Sequence, residues 1–264
     1  LARHTAPEEL VASLLRQAHG RTVGLLFDYD GTLADIRPTP AQAVIGRDER
    51  ENLVRLAQSP RARVAIVTGR SKAGLLAVSG PLDGVTLALN GGLHIVSPGR
   101  EWTMPDVEKF RPALARAEKI MADAVAEWPG TILEEKELSM TVHFRLRPDA
   151  QAALESALQS ALERENGQLR TLPGKQSFEI QPNVPWDKGR AATWLLDDWG
   201  VGDAALFLGD DRIDEPAFTA VAAVGGLTCR VATTGEATSA GWVLPSPTDA
   251  RRVLALLADA LTDL

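Results

Sequence analysis

The run Val23-Gly24-Leu25-Leu26-Phe27 breaks without a spacer into Asp28-Tyr29-Asp30-Gly31-Thr32-Leu33. An apolar stretch with no polar alternation suits a parallel strand covered on both faces. Aspartates at i and i+2 would share one side of a continuing strand, and the Gly31-Thr32 turn lets both face one site. Strand, paired acids and turn together constrain the chain to an architecture in which strand ends carry the chemistry.

Other apolar runs end in the same way. Residues 63–67 read as a strand running into Thr68-Gly69-Arg70, 85–89 into Asn90-Gly91-Gly92, and 204–208 into Gly209-Asp210-Asp211, with a further strand at 228–231. A helix at 47–58 alternates with them. This alternation predicts an α/β fold, a doubly wound parallel sheet, whose ligands bind outside the carboxyl ends of the strands. The middle of the chain reads differently: helix 106–128, strands 131–135 and 138–145, helix 148–166, then two strands around Gly174-Lys175. That order predicts a separate antiparallel α+β lobe. The expected division is a core of 1–98 and 184–264 with an inserted cap at 99–183.

The length of 264 residues suits one large domain or two small ones, and 45% hydrophobic against 24% charged residues is the balance of a chain that folds by itself. The formal charge of −7, with no long basic run, speaks against nucleic acid. No apolar segment approaches the roughly 18 residues of a membrane span, and no signal-type apolar core stands near Leu1, so the expected location is cytoplasmic. The single cysteine, Cys229, is read as a small buried hydrophobe, and the six tryptophans as packing residues, Trp186 also as a neighbour of the pocket.

Two carboxylates at a strand end support a two-step displacement at phosphorus. Asp28 attacks and forms an aspartyl-phosphate, while Asp30 protonates the leaving alkoxide and later activates water. An anionic nucleophile needs positive charge to approach an anionic phosphate. Magnesium fits Asp28, the backbone carbonyl of Asp30 and Asp210; Lys188 supplies a point charge; Thr68 and the amides near Gly31 and Gly69 donate hydrogen bonds. Asp-Gly is also a common turn dipeptide, but turn capping predicts no distant partners such as Lys188 and Asp210.

Taken in order, Asp28-Tyr29-Asp30-Gly31-Thr32-Leu33, Thr68-Gly69-Arg70, Lys188-Gly189 and Gly209 to Glu215 resemble the four motifs of the haloacid dehalogenase superfamily. The resemblance implies a Rossmann-like core, the aspartyl-phosphate route, magnesium as cofactor, Asp214 supporting the metal, Asp211 as support or ligand, and an insert of the cap type. Within that superfamily the chain is similar to the trehalose-6-phosphate phosphatases from about Val23 to the C-terminus. Glu134-Glu135-Lys136, His143-Phe144-Arg145 and Phe178-Glu179-Ile180-Gln181-Pro182 carry that likeness.

Glu134 and Lys136 share a strand face and offer an acceptor and a donor to sugar hydroxyls, with Glu179 as a further acceptor. The resemblance adds His143 and Arg145, and places Asn90 and His94 near the sugar. Arg70 is read as a substrate contact or a brace for its loop. Where the family has Asn-His-Gly, then a small residue and Glu, this chain has Asn90-Gly91-Gly92-Leu93-His94.

The expected activity is therefore hydrolysis of a small sugar phosphate, trehalose 6-phosphate first. A related disaccharide or pseudo-disaccharide phosphate, a phosphomutase and a non-catalytic sugar-phosphate sensor stand as alternatives.

Overall fold

The computed structural model describes residues 2–232 and 237–262. The chain forms two compact units, Leu1–Trp102 with Trp186–Leu264, and Thr103–Pro185. The inserted unit thus begins and ends slightly later than the 99–183 read from the sequence.

In chain order the first unit supplies β1 (Arg3–His4), α1 (Pro7–Ala18), β2 (Val23–Phe27), α2 (Arg47–Gln58), β3 (Ala62–Val67), α3 (Lys72–Ser79), β4 (Thr86–Leu89), β5 (His94–Ser97) and β6 (Arg100–Thr103). The inserted unit then contributes α4 (Arg111–Ala126), β7 (Ile132–Glu135), β8 (Met140–His143), α5 (Gln151–Arg164), β9 (Leu169–Gly174) and β10 (Ser177–Pro182). The chain returns with α6 (Lys188–Trp199), β11 (Ala205–Gly209), α7 (Glu215–Ala223), β12 (Leu227–Val231), β13 (Trp242–Leu244) and α8 (Pro247–Thr262).

The first unit is built on one sheet in the order β1-β13-β12-β11-β2-β3-β4-β5-β6. Pairing is parallel from β1 to β4 and turns antiparallel at β5. All five residues of β2 are buried, because successive side chains enter different cores. Leu25 and Phe27 pack with Leu10 and Leu14 of α1, Leu53 of α2 and Leu254 of α8. Leu26 packs on the other side with Leu195 of α6 and Phe218 of α7. Covering both faces explains why the strand shows no polar alternation.

The carboxyl ends of β2, β3, β4 and β11 consequently lie side by side. Cys229 is fully buried in the first of these cores. The β5–β6 extension was not anticipated in the sequence. The burial of β6 follows no alternation, since its residues are exposed or half-buried, as befits an edge strand.

The second unit is an antiparallel sheet in the order β7-β8-β10-β9. Met140, Val142, Phe178 and Ile180 pack with Ala113 and Ala117 of α4 and Leu154 and Leu158 of α5. The alternate residues therefore point away from the helices. Across that face Glu134 stands opposite Thr141 and Thr141 opposite Glu179, while His143 pairs with Ile132 and Ser177. The long helical pattern at 106–128 begins as a 3-10 turn, Val107–Phe110, before α4.

Candidate active site

Asp28 leaves β2 with its backbone N–H donating to the Leu208 carbonyl of β11, which ties the two acidic strand ends together at 2.8 Å. The chain then turns sharply, the N–H groups of Leu33 and Ala34 both donating to the Tyr29 carbonyl. Gly31 is required at that turn for two reasons. Its φ of +87° is in the region only glycine adopts freely, and a Cβ there would fall 2.0 Å from Oδ2 of Asp210. The glycine lets the Asp210 carboxylate approach the turn.

Lys188 reaches the same place from the first turn of α6. Asp187 caps that helix by accepting from the Arg190 N–H at 2.9 Å. A cation at a helix N-terminus is disfavoured by the helix dipole, so Lys188 needs compensation. It finds it by donating from Nζ to Oδ1 of Asp28 and Oδ1 of Asp214, each at 2.6 Å. The other Asp214 oxygen accepts the N–H groups of Asp210 and Asp211, both at 3.0 Å. Asp214 is thus committed to bracing the loop after β11.

Asp28, Asp210 and Asp214 are all buried, and each brings one carboxylate oxygen within 4.8 Å of the others. Lys188 is bonded to two of these three carboxylates. Burial, the strongest influence, pushes the Asp28 carboxyl well above its usual range; Lys188 opposes it, and Asp214 and Asp210 add to it. Burial pulls the Lys188 ammonium down, yet Asp214 and Asp28 outweigh it and hold its pKa above the ordinary lysine value. Asp28 Oδ2 is buried with no hydrogen-bond partner among the described residues. An all-oxygen, negatively charged donor set of this kind fits a hard divalent cation.

The remaining core residues from the sequence fall around this cluster. Thr68, 1% exposed at the end of β3, accepts the Arg70 N–H at its hydroxyl oxygen and keeps its own proton to donate. Asp30 is paired with Arg70 in a two-pronged contact. Asp211 is not part of the three-carboxylate cluster; its side chain accepts the Arg212 N–H and caps the 3-10 turn that leads to α7. Asn90 is fully buried with φ of +50°, and its amide oxygen and nitrogen both lack hydrogen-bond partners among the described residues. Its backbone N–H donates to the Arg70 carbonyl, and that of Gly91 to Thr68, so the loop lies against the β3 turn.

His94 Nε2 meets Oε1 of Glu101 at 2.6 Å, joining β5 to β6. The Trp186 ring lies against that of Trp102, tilted by 35° with centroids 4.7 Å apart, and donates from Nε1 to the Gly92 carbonyl.

In the second unit the expected sugar contacts gather on the face opposite α4 and α5. His143 Nε2 lies 2.9 Å from Oε2 of Glu134, and Lys136 donates to Thr141 Oγ1 at 2.8 Å and pairs with Glu179 at 3.8 Å. Arg145 donates to the Lys175 carbonyl at the β9–β10 turn. Thr141 was missed in the sequence, although its place two residues before His143 on β8 puts it on the same face. Glu101 and Pro40, which hold His94 and Arg70, had no sequence signal, because each partner is separated from its residue by a fold-dependent loop.

The trehalose-phosphatase family model matches residues 26–247, from within β2 to the first residue of α8. A trehalose-phosphate phosphatase of Mycobacterium avium is 32% identical over 92% of this chain and 63% of its own length. The chain therefore spans less than two thirds of that mycobacterial relative. A probable trehalose-phosphate phosphatase C of Arabidopsis thaliana is 27% identical over 96% of this chain and 82% of its own length. The C-terminal domain of the C. albicans trehalose-6-phosphate phosphatase has the same fold, with a TM-score of 0.85 over 98% of both chains at 23% identity. Since the matched segment runs through every strand end that carries an acid, the chain belongs to the trehalose-phosphatase family.

Proposed function

We propose that this protein is a magnesium-dependent phosphatase that converts trehalose 6-phosphate to trehalose and phosphate, with Asp28 as nucleophile. The observation that carries this reading is the split environment of Asp28: Oδ1 is held by Lys188 at 2.6 Å, while Oδ2 is buried without a hydrogen-bond partner among the described residues. A carboxylate anchored by one oxygen keeps the other for attack.

In the first step Oδ2 of Asp28 bonds to phosphorus and the bond from phosphorus to the sugar oxygen breaks. The leaving oxygen takes its electron pair and a proton from Asp30. In the second, a water gives a proton to Asp30 and attacks the phosphoryl group, which returns the Asp28 carboxylate and releases phosphate. Lys188 and the Thr68 hydroxyl stabilise negative charge on the transferring group. Asp28 and Asp210 would hold the magnesium ion, with Asp214 bracing the loop, and the bound ion would supply positive charge against the approaching phosphate. Glu134, Lys136, His143, Arg145 and Glu179 of the cap recognise sugar hydroxyls.

The test is phosphate release from a panel of disaccharide, pseudo-disaccharide and hexose phosphates with magnesium, for wild type and Asp28→Asn. Trehalose 6-phosphate as the preferred substrate of the wild type alone supports the reading. Equal release by both proteins sinks the nucleophile, and a preference for another phosphate sinks the substrate. The latter outcome has a physical basis in His94, which stands where the family has Glu and is bound to Glu101.

A further inference from the structure

We infer that Arg70 is a positioning residue that fixes the Asp30 carboxylate over the site, and that it makes no contact with the sugar. The inference rests on the phosphatase reading above. Arg70 Nε donates to Oδ2 of Asp30 and Nη2 to Oδ1, both at 2.7 Å, a planar fork matched to a carboxylate. The guanidinium is itself anchored from two further directions. Nη2 also donates to the Pro40 carbonyl at 2.8 Å, and Cζ lies 5.4 Å from the centroid of the Tyr29 ring. Its backbone is pinned as well, with the N–H donating to Thr68 Oγ1 and the carbonyl accepting from Asn90.

The two partners differ in exposure, and that difference assigns the roles. The Arg70 side chain is 6% exposed and the Asp30 side chain 42%. A guanidinium so enclosed has little surface to offer a sugar, whereas the carboxylate keeps surface that a reacting group can reach. What the fork supplies to the reaction is direction. Left on a turn beside Gly31, Asp30 would sample several rotamers. Bound to a doubly anchored fork it keeps one, and one oxygen can go on accepting from Arg70 while the other serves the leaving oxygen. A displacement of about 1 Å in such a group costs on the order of 100-fold in rate.

The experiment is a double-variant cycle of Arg70→Gln and Asp30→Asn, measuring kcat and KM on the preferred sugar phosphate, with Arg70→Lys as the conservative variant. Arg70→Gln lowers kcat about 10- to 100-fold with KM within about twofold, Arg70→Lys restores part of the loss, and in the Asp30→Asn background Arg70→Gln costs less than about twofold more. A raised KM with kcat retained, or losses that multiply in the double variant, overturns the inference. A crystal structure of Arg70→Gln decides the point without activity: a displaced or disordered Asp30 carboxylate supports it, and an unmoved one overturns it. If wild type releases phosphate from no sugar phosphate, the phosphatase reading fails, and this crystallographic comparison still settles what Arg70 does.

Discussion

Asp28 and Lys188 form a buried pair whose members are dispensable in different ways. Replacing Asp28 by Asn removes a carboxyl that burial already disfavours as an anion. Asp28→Asn should therefore lose at least about a thousandfold in kcat while its thermal unfolding midpoint stays at or above that of the wild type. Lys188→Met is the converse case. It leaves Asp28 and Asp214 buried without their shared cation, and losing one partner of a buried pair costs about 3–5 kcal/mol. Urea unfolding of the metal-free protein should show that loss, and an unchanged midpoint would remove Lys188 from its place between the two carboxylates. Both residues were legible in the sequence because each sits in a run whose spacing is informative. Arg70 was legible only as one of two alternatives, because its partner lies 40 positions away and the choice between sugar and Asp30 depends on which loops the sheet brings together.

The elements that carry the acids were read from the sequence almost residue for residue, since strands buried on both faces announce themselves as unbroken apolar runs. The β5–β6 extension had no such signal, and the contact of His94 with Glu101 on the next strand was hidden with it. Helix packing was equally hidden. Gly189, the second residue of α6, lies so close to α7 that a Cβ there would fall 2.5 Å from the Pro216 carbonyl oxygen. Gly189→Ala must therefore push the N-terminus of α6, and Lys188 with it, away from Asp28. Overpacking of this kind costs about 1–3 kcal/mol, and the expected kinetic signature is a fall in kcat larger than any rise in KM. A variant with wild-type kcat would mean that the helices part without moving the lysine.

At the scale of the whole molecule, the order of the two units along the chain makes their contributions separable. The first unit contains Asp28, Asp30, Thr68, Lys188, Asp210 and Asp214, and the second contains Glu134, Lys136, His143, Arg145 and Glu179. The chain leaves the first unit at Trp102 and re-enters it at Trp186, and those two rings are in contact with centroids 4.7 Å apart. Residues Thr103–Pro185 can then be replaced by a linker of about four Gly and Ser residues, which spans roughly 11 Å as a flexible coil. The excised core keeps its own sheet and both of its hydrophobic clusters, so it should fold. It should also keep the three-carboxylate group that fits a divalent cation. Magnesium at about 100 times its dissociation constant should stabilise it by about 2.7 kcal/mol. For a chain of this size that is a rise of about 5–10 °C in unfolding temperature, abolished by Asp210→Asn. On p-nitrophenyl phosphate, which needs no sugar contact, the core should stay within about tenfold of the intact protein, while its preference among sugar phosphates disappears. Retained preference would move recognition of the sugar out of the inserted unit and into the loops around Asn90.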